Sequence, residues 1–268
     1  MIFRVFNPSA QLAPYIRSYW ILERDDVPDS AETILPDGCM EMIFHYGDEY
    51  VSNIAQQEKT QNGVIIVGQI KEAITIQPAG QTGIFSIRFQ PWGFYAFTGI
   101  GSDKLTEQVI EAEDIWGNAI SEIQEQLQSA THEEKVTIVE RFLTDILNRQ
   151  KAKTIDKVSS VAPVLGYLHK HMGNLAVAHM AYRSNVSVRH FNRNVTEITG
   201  LSPKLLARII RLQTFLSVHE AGATLTDSLY RCGYFDQAHF IREFREIANM
   251  TPNSFFKGEH MMAELMLQ

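Results

Sequence analysis

The chain has 268 residues, 45% of them hydrophobic, a net charge of −7 and two cysteines, Cys39 and Cys232. That length favours two compact domains over one, and no run of about 18 apolar residues marks a transmembrane helix. Pro8 and polar neighbours interrupt the N-terminus where a secretory signal needs a continuous apolar stretch. Two distant cysteines in unlike contexts argue against a disulfide framework or a zinc cluster, and point to a reducing, cytoplasmic setting.

Along residues 1–150 the pattern is that of short strands. Segments 17–23, 39–46, 64–68, 73–77 and 83–89 are β-branched or aromatic runs. Turn residues bound them, among them Pro36-Asp37-Gly38, Gly47, Gly63 and Pro78-Ala79-Gly80. The run CMEMIFHY alternates only in part, which predicts a strand buried on both faces. Several short strands in one stretch predict a small barrel or sandwich. After Pro91 the period becomes helical, with clear helices over 118–128 and 132–149. On the second of these, Val136, Val139, Leu143 and Ile146 form one apolar stripe, read as core in preference to a dimer seam.

From residue 155 the chain is all helix and contains a repeat. An offset of 49 lays Ser187 on Asp236, His190 on His239, Phe191 on Phe240, Arg193 on Arg242 and Ser202-Pro203 on Thr251-Pro252. A fixed period means one supersecondary unit built twice. Ser187 and Asp236 have the chemistry of N-caps, Gly200 and Asn249 that of left-handed C-terminal residues, and a proline three positions later ends each copy. A shorter helix precedes each, over 175–182 and 225–232, across turns containing Asn185 and Gly233. A short helix, a tight turn and a capped second helix make a helix-turn-helix. The units cover about residues 175–200 and 225–249, one long helix over 203–218 joins them, and a further helix over 158–171 packs on the first.

Charge divides in the same way. From residue 155 onward there are 12 basic and 9 acidic residues, a net of +3, while the first part carries −10. An acidic front and a basic back fit a chain of which one domain meets phosphates. The outer face of the first capped helix shows Arg189, Asn192 and Arg193, and that of the second Gln237, His239 and Arg242. Arg, Asn and Gln form paired hydrogen bonds with base edges in the major groove. Polar faces are the ordinary state of a surface helix; the duplication of cap, aromatic and arginine is what favours the nucleic-acid reading.

The stretches VSVRHFNRNVTEITGLSPKLLARIIRL and RCGYFDQAHFIREFREIANMTPNSFF resemble the two signature segments of the AraC/XylS family of transcription regulators. The family usually has an Ile-Ala pair where this chain has Ser228-Leu229, and a Gly at Asn249. The resemblance implies that Arg189, Asn192, Arg193, Gln237, Ala238, His239 and Arg242 face base edges. It adds Ser187, His190, Lys204 and Asp236 to the DNA-binding set, Lys204 at phosphate. LPDGCMEMIF, GQI at Gly68 and RFQPWGFYAFTGI resemble the front domain of one branch of that family, which implies a regulatory domain without naming a ligand. By analogy that domain is a cupin-like barrel. The expected architecture is therefore α+β, a β-rich regulatory domain over 1–150 and an all-α DNA-binding domain over 155–268. Double-stranded DNA is the expected partner. RNA polymerase, an unidentified small-molecule effector and a second copy of the chain stand as further candidates, with no membrane and no cofactor.

The competing expectation is a cupin-like barrel enzyme with an accessory helical domain. It calls for convergent metal ligands or acid-base groups, and His45 is the one histidine among the predicted strands. His169 and His171 alternate on a helix and cannot share a metal, so no metal or catalytic residue is assigned. Cys39 reads as a small buried residue, Asp37 and Glu41 as turn and strand residues before an acid-base pair. Trp20, Trp92 and Phe94 are candidates for a pocket wall, against a plainer role in the core.

Overall fold

The computed structural model describes residues 1–27, 30–258 and 260–265. Two antiparallel sheets build the front of the molecule. The first has six strands in the order β1 (Ile2–Phe6), β2 (Ile16–Arg24), β9 (Thr82–Phe89), β4 (Glu41–His45), β7 (Val64–Val67) and β10 (Val109–Glu111). The second runs β3 (Glu32–Ile34), β8 (Ile74–Pro78), β5 (Tyr50–Ile54) and β6 (Gln57–Gln61). Among the described residues no ladder joins the two, so the expected barrel is a pair of facing sheets and is not closed.

Strand alternation explains the layering. Tyr19, Ile21, Met42, Phe44, Phe85 and Ile87 point to one side of the large sheet. There they meet α1 (Gly93–Thr98), α3 (Ala119–Gln128) and α4 (His132–Arg149). Trp20, Leu22, Ile43, Ile65 and Ile84 point the other way, toward the small sheet. Both faces are covered, and all eight residues of β9 are buried. The partial alternation of CMEMIFHY has this cause, as expected. Val139 and Leu143 of α4 are fully buried, with Val136 and Ile146 packed beside them, so that stripe is core. Between the sheet and α3 lies the short helix α2 (Glu113–Trp116).

The chain breaks at Gln150 and Lys151, both extended, before α5 (Ala152–Lys170). Then follow α6 (Val177–Arg183), α7 (Val188–Thr199), α8 (Pro203–Glu220), α9 (Leu225–Arg231), α10 (Gln237–Ala248), α11 (Pro252–Phe255) and α12 (Met261–Leu265). Their core gathers Phe191, Val195 and Ile198 of α7 with Phe240, Phe244 and Ile247 of α10 around Leu206, Ile210 and Phe215 of α8. The stretch from Gly93 to Thr98 is buried on nearly every side, a small helix with no apolar period to announce it.

The two parts touch extensively. Ser102 Oγ donates to the Ile198 carbonyl at 2.8 Å, and Thr106 Oγ1 to that of Gly200 at 2.9 Å, so the end of α7 rests on the front domain. The Ala73 N–H donates to the Ile247 carbonyl at 2.7 Å, which does the same for α10. Gln213 Nε2 of α8 donates to the Pro36 carbonyl at 2.6 Å. Gly200 is required twice over. Its φ is +79°, and a Cβ there would stand 2.8 Å from Thr106 Oγ1 and 2.9 Å from Gln69 Cγ.

Candidate nucleic-acid interface

Each unit is built by local chemistry that the sequence carries. Ser187 Oγ accepts from the His190 N–H at 3.3 Å, and Asp236 Oδ1 from that of His239 at 2.7 Å. Both bonds satisfy free amides of a first helical turn. Gly200 and Asn249 end the helices in left-handed conformation, and Asn185 and Gly233 take positive φ in the turns. Helices α7 and α10 are both 12 residues long, and their first residues are offset by the repeat of 49. The first short helix begins at Val177, two residues later than expected, and α8 ends at Glu220, two later than expected.

The units are held together by α8 and by a buried carboxylate. Glu243, on the inward side of α10, has a side chain 5% exposed. It accepts from Arg208 Nε at 3.1 Å and from Arg211 Nε and Nη2 at 3.0 Å each. Arg208 also pairs with Glu246. Arg211 reaches Asn174 Oδ1 at 3.3 Å, and Asn174 Nδ2 donates to the Cys232 carbonyl at 2.8 Å. One network thus ties the entry to the first unit, the connecting helix and the second unit. Leu229, where the family has a small residue, is accommodated half-buried against the same core.

The residues named as base readers divide into two sets. Arg189, Gln237 and Arg242 are exposed and, among the described residues, make no hydrogen bond or ion pair. Ala238 is exposed beside Gln237. The others have intramolecular partners. His190 Nδ1 lies 3.0 Å from Arg193 Nη2, and its Nε2 lies 2.9 Å from Asn194 Nδ2. Asn192 Nδ2 donates to the Val188 carbonyl at 2.8 Å. His239 Nδ1 accepts from the Phe235 N–H at 3.4 Å, while its Nε2 stands 3.7 Å from Glu243. Lys204 is exposed and lines a groove between the units with Arg208, Arg211, His239 and Arg242.

Three aromatic residues beside these helices were not picked out from the sequence. Tyr182 is 80% exposed, Tyr230 87% and Phe235 91%. Tyr182 precedes Asn185, and Tyr230 precedes Gly233, by three positions, so each turn carries an outward tyrosine. That shared offset from the left-handed residue was the available signal.

The front-domain candidates for chemistry are tied up in structure. Arg88 donates from Nε to Asp37 Oδ2 at 2.7 Å and also pairs through Nη2, which holds the Asp37 carboxyl below its usual range despite burial. Cys39 Sγ accepts from Arg17 Nη1 at 3.6 Å, a basic neighbour invisible in the local sequence. Burial nonetheless pushes its thiol up to about 11, so it is not a ready thiolate. His169 is held neutral, down to about 4, chiefly by burial, and the His171 ring rests 3.9 Å from that of Tyr167. Of the three aromatics considered for a pocket, Trp20 lines a cavity between the sheets. Phe94 is core, and Trp92 Nε1 donates to the Pro14 carbonyl at 2.8 Å. Among the described residues no three His, Cys, Asp or Glu side chains gather as a metal site. None of the described helices is long and apolar enough to cross a membrane.

Residues 4–111 match a family described as a domain of unknown function (DUF6597), and residues 180–258 match a helix-turn-helix domain family. The HTH-type transcriptional activator RhaS of Escherichia coli (strain SE11) is 31% identical over 80 residues, which are 30% of this chain. The chain spans 29% of the length of that curated relative. In solved structures it is similar to ToxT from Vibrio cholerae O395, with 10% identity, a TM-score of 0.47, and 95% and 97% of the two chains covered. For the AraC-like transcriptional activator CuxR the identity is 14% and the TM-score 0.32, with 85% and 90% covered. With two capped helices of equal length repeated at 49 residues, and with the family match over the same stretch, residues 180–258 are a helix-turn-helix domain of the AraC/XylS type.

Proposed function

We propose that the protein is a sequence-specific DNA-binding transcription regulator acting in the cytosol. In this reading α7 and α10 enter two adjacent major grooves, and the front domain modulates their grip in response to a ligand or partner. The observation that carries it is the pair of equivalent helices with exposed polar faces, the second locked to α8 by Glu243. Arg189, Arg193, Gln237, Ala238 and Arg242 are assigned to base edges, with Asn192 and His239 beside them. Lys204 is assigned to phosphate. Ser187, Asp236 and His190 serve by capping or by fixing neighbours. No catalytic step belongs to this reading, and the fixed Asp37–Arg88 pair supports that. Control by the front domain is supported by the bonds from Ser102, Thr106 and Ala73 to the ends of both recognition helices. The α4 stripe is buried inside the front domain, so a dimer would use another face, and RNA polymerase is a further partner of this reading.

The test is a gel-shift titration on a selected operator at several salt concentrations. Log affinity is expected to fall linearly with log salt, by roughly 0.9 per phosphate neutralised, although the whole chain is acidic. A slope near zero would refute the role given to residues 155–268. Arg189→Ala or Arg242→Ala is expected to cost about 1–3 kcal/mol of discrimination at one or two base pairs and leave the fold intact. Lys204→Ala is expected to weaken all sequences alike. Site selection with Arg189→Ala that returned the wild-type motif would remove that residue from the base readers.

A further inference from the structure

Between the two sheets lies a cavity of about 90 Å³. Ile34, Ile70, Ile74, Ile76 and Ile84 give it apolar walls together with Trp20. Facing sheets ordinarily interdigitate until no such space is left, and an unfilled one forfeits contacts on every wall. Strand β4 crosses the space and, by its alternation, turns Glu41, Ile43 and His45 into it, while Met42 and Phe44 face the helices. Glu41 and His45 are four residues apart, so roughly 13 Å of strand separates them.

Both polar groups have bonding capacity to spare. Glu41 accepts from Ser86 Oγ at 3.0 Å and from Trp20 Nε1 at 3.4 Å. Arg88, whose Nε is 3.8 Å away, directs Nε and Nη2 to Asp37. An ionised carboxylate has about four acceptor sites, so Glu41, with two hydrogen bonds and a 3.8 Å ion pair to Arg88, keeps acceptor capacity unused. Burial, with the nearby Asp37 charge, raises Glu41 to about 7 against the pull of Arg88. His45 is 6% exposed, and among the described residues neither ring nitrogen has a hydrogen-bond partner. Burial lowers it to about 4 and keeps the ring neutral.

The charge decides the ligand class. The lining contains Asp37 and Glu41 but, among the described residues, neither Lys nor Arg. Arg88 pairs with Asp37 and, at 3.8 Å, with Glu41 from outside the cavity, so a carboxylate guest would meet two carboxylates that already compete for one cation. A protonated amine would find an under-partnered carboxylate, and a desolvated pair of this kind is among the stronger hydrogen bonds.

One wall of the cavity comes from α12. Helix α12 packs on β3, and Met262, 3% exposed, lines the cavity. Arg24 Nη1 lies 4.0 Å from the Met261 sulfur. A guest that outgrows the space would press on Met262, on a helix that begins shortly after α10 and α11. On the opposite wall, Gly68, Ile70 and Ile74 line the same space, and between them Ala73 holds the end of α10 while Gln69 packs on Gly200. Cavity and recognition helices thus share two mechanical links.

We propose that this cavity is a binding site for a compact apolar molecule bearing a protonated amine, seated on Glu41, with Met262 as the gate that binding displaces. The proposal rests on the reading of the front domain as the control module. Calorimetric titration of the full-length protein at neutral pH with hexylamine, 1-hexanol and hexanoate tests it. Hexylamine is expected to bind saturably, 1-hexanol about tenfold or more weaker, and hexanoate not at all. Glu41→Gln should weaken hexylamine by about tenfold to a hundredfold while leaving 1-hexanol unchanged. Met262→Ala should tighten hexylamine several-fold by removing the competing side chain. Should Glu41→Gln fail to fold, as judged by its melting curve, Ile76→Phe fills the space from the other sheet and must abolish hexylamine binding. Equal binding of all three probes, or hexylamine binding indifferent to Ile76→Phe, overturns the proposal. A gel shift on the same samples separates the two ideas. Intact DNA binding without amine binding removes the amine site alone, whereas absent DNA binding strikes the regulator reading.

Discussion

Glu243→Ala is expected to destabilise the C-terminal domain by about 2–4 kcal/mol, the largest effect of any single surface-distant polar change in it. Glu243 is 5% exposed on its side chain and serves two guanidinium groups at 3.0–3.1 Å. Removing one member of a buried ion pair leaves its partners uncompensated, which typically costs about 3–5 kcal/mol. Here the loss is smaller, because the arginine side chains are 21% and 16% exposed and keep other contacts. Arg208 retains Glu246, and Arg211 retains Asn174 and the Tyr234 ring at 5.2 Å. Glu243→Gln keeps the shape and one acceptor, and is expected to cost roughly half as much. Denaturant unfolding of the three proteins measures this, and footprinting of Glu243→Ala should lose protection over one half-site before the other. Stability within about 0.5 kcal/mol of the parent would show that the network does not lock α10 to α8.

The C-terminal domain was legible because its grammar is local. Caps, left-handed turn residues and helix-breaking prolines act within a few positions, and the 49-residue repeat states them twice. The front domain was legible only where strands are apolar. β6, with the sequence QEKTQ, is polar, exposed along most of its length and held by pairing to β5. β1, β3, β5 and β10 depend likewise on partners distant in sequence or are too short to show a period. The polar faces of α7 and α10 were visible, but which groups already bind one another was not. That His190 engages both Arg193 and Asn194 depends on side-chain conformation, not on spacing alone. The pairing of Asp37 with Arg88, 51 residues apart, needed the sheet register that sets β4 beside β9.

The geometry of the two units makes the second large prediction. Helix α8 has 18 residues, about 27 Å of rigid rod. The Glu243 network fixes the second unit on it, while Ser202 caps its start directly after the first. Successive major grooves on one face of B-DNA recur about every 10–10.5 base pairs, so the two half-sites are expected about one turn apart. The reading groups differ, with Arg189 and Arg193 on α7 but Gln237 and Arg242 on α10. One protomer should therefore recognise an asymmetric site in place of a palindrome. Inserting about five base pairs between the half-sites turns one of them to the far side of the duplex, beyond the reach of a rigid pair. Specific affinity is then expected to fall by several kcal/mol toward that of a single unit, since a matched site typically gains about 4–10 kcal/mol over non-specific DNA. An insertion of about ten base pairs restores the face but not the distance, and should recover little. A gel-shift series over these spacers measures both. Undiminished monomer binding to the half-turn insert would mean that α8 bends or that one unit alone supplies the affinity.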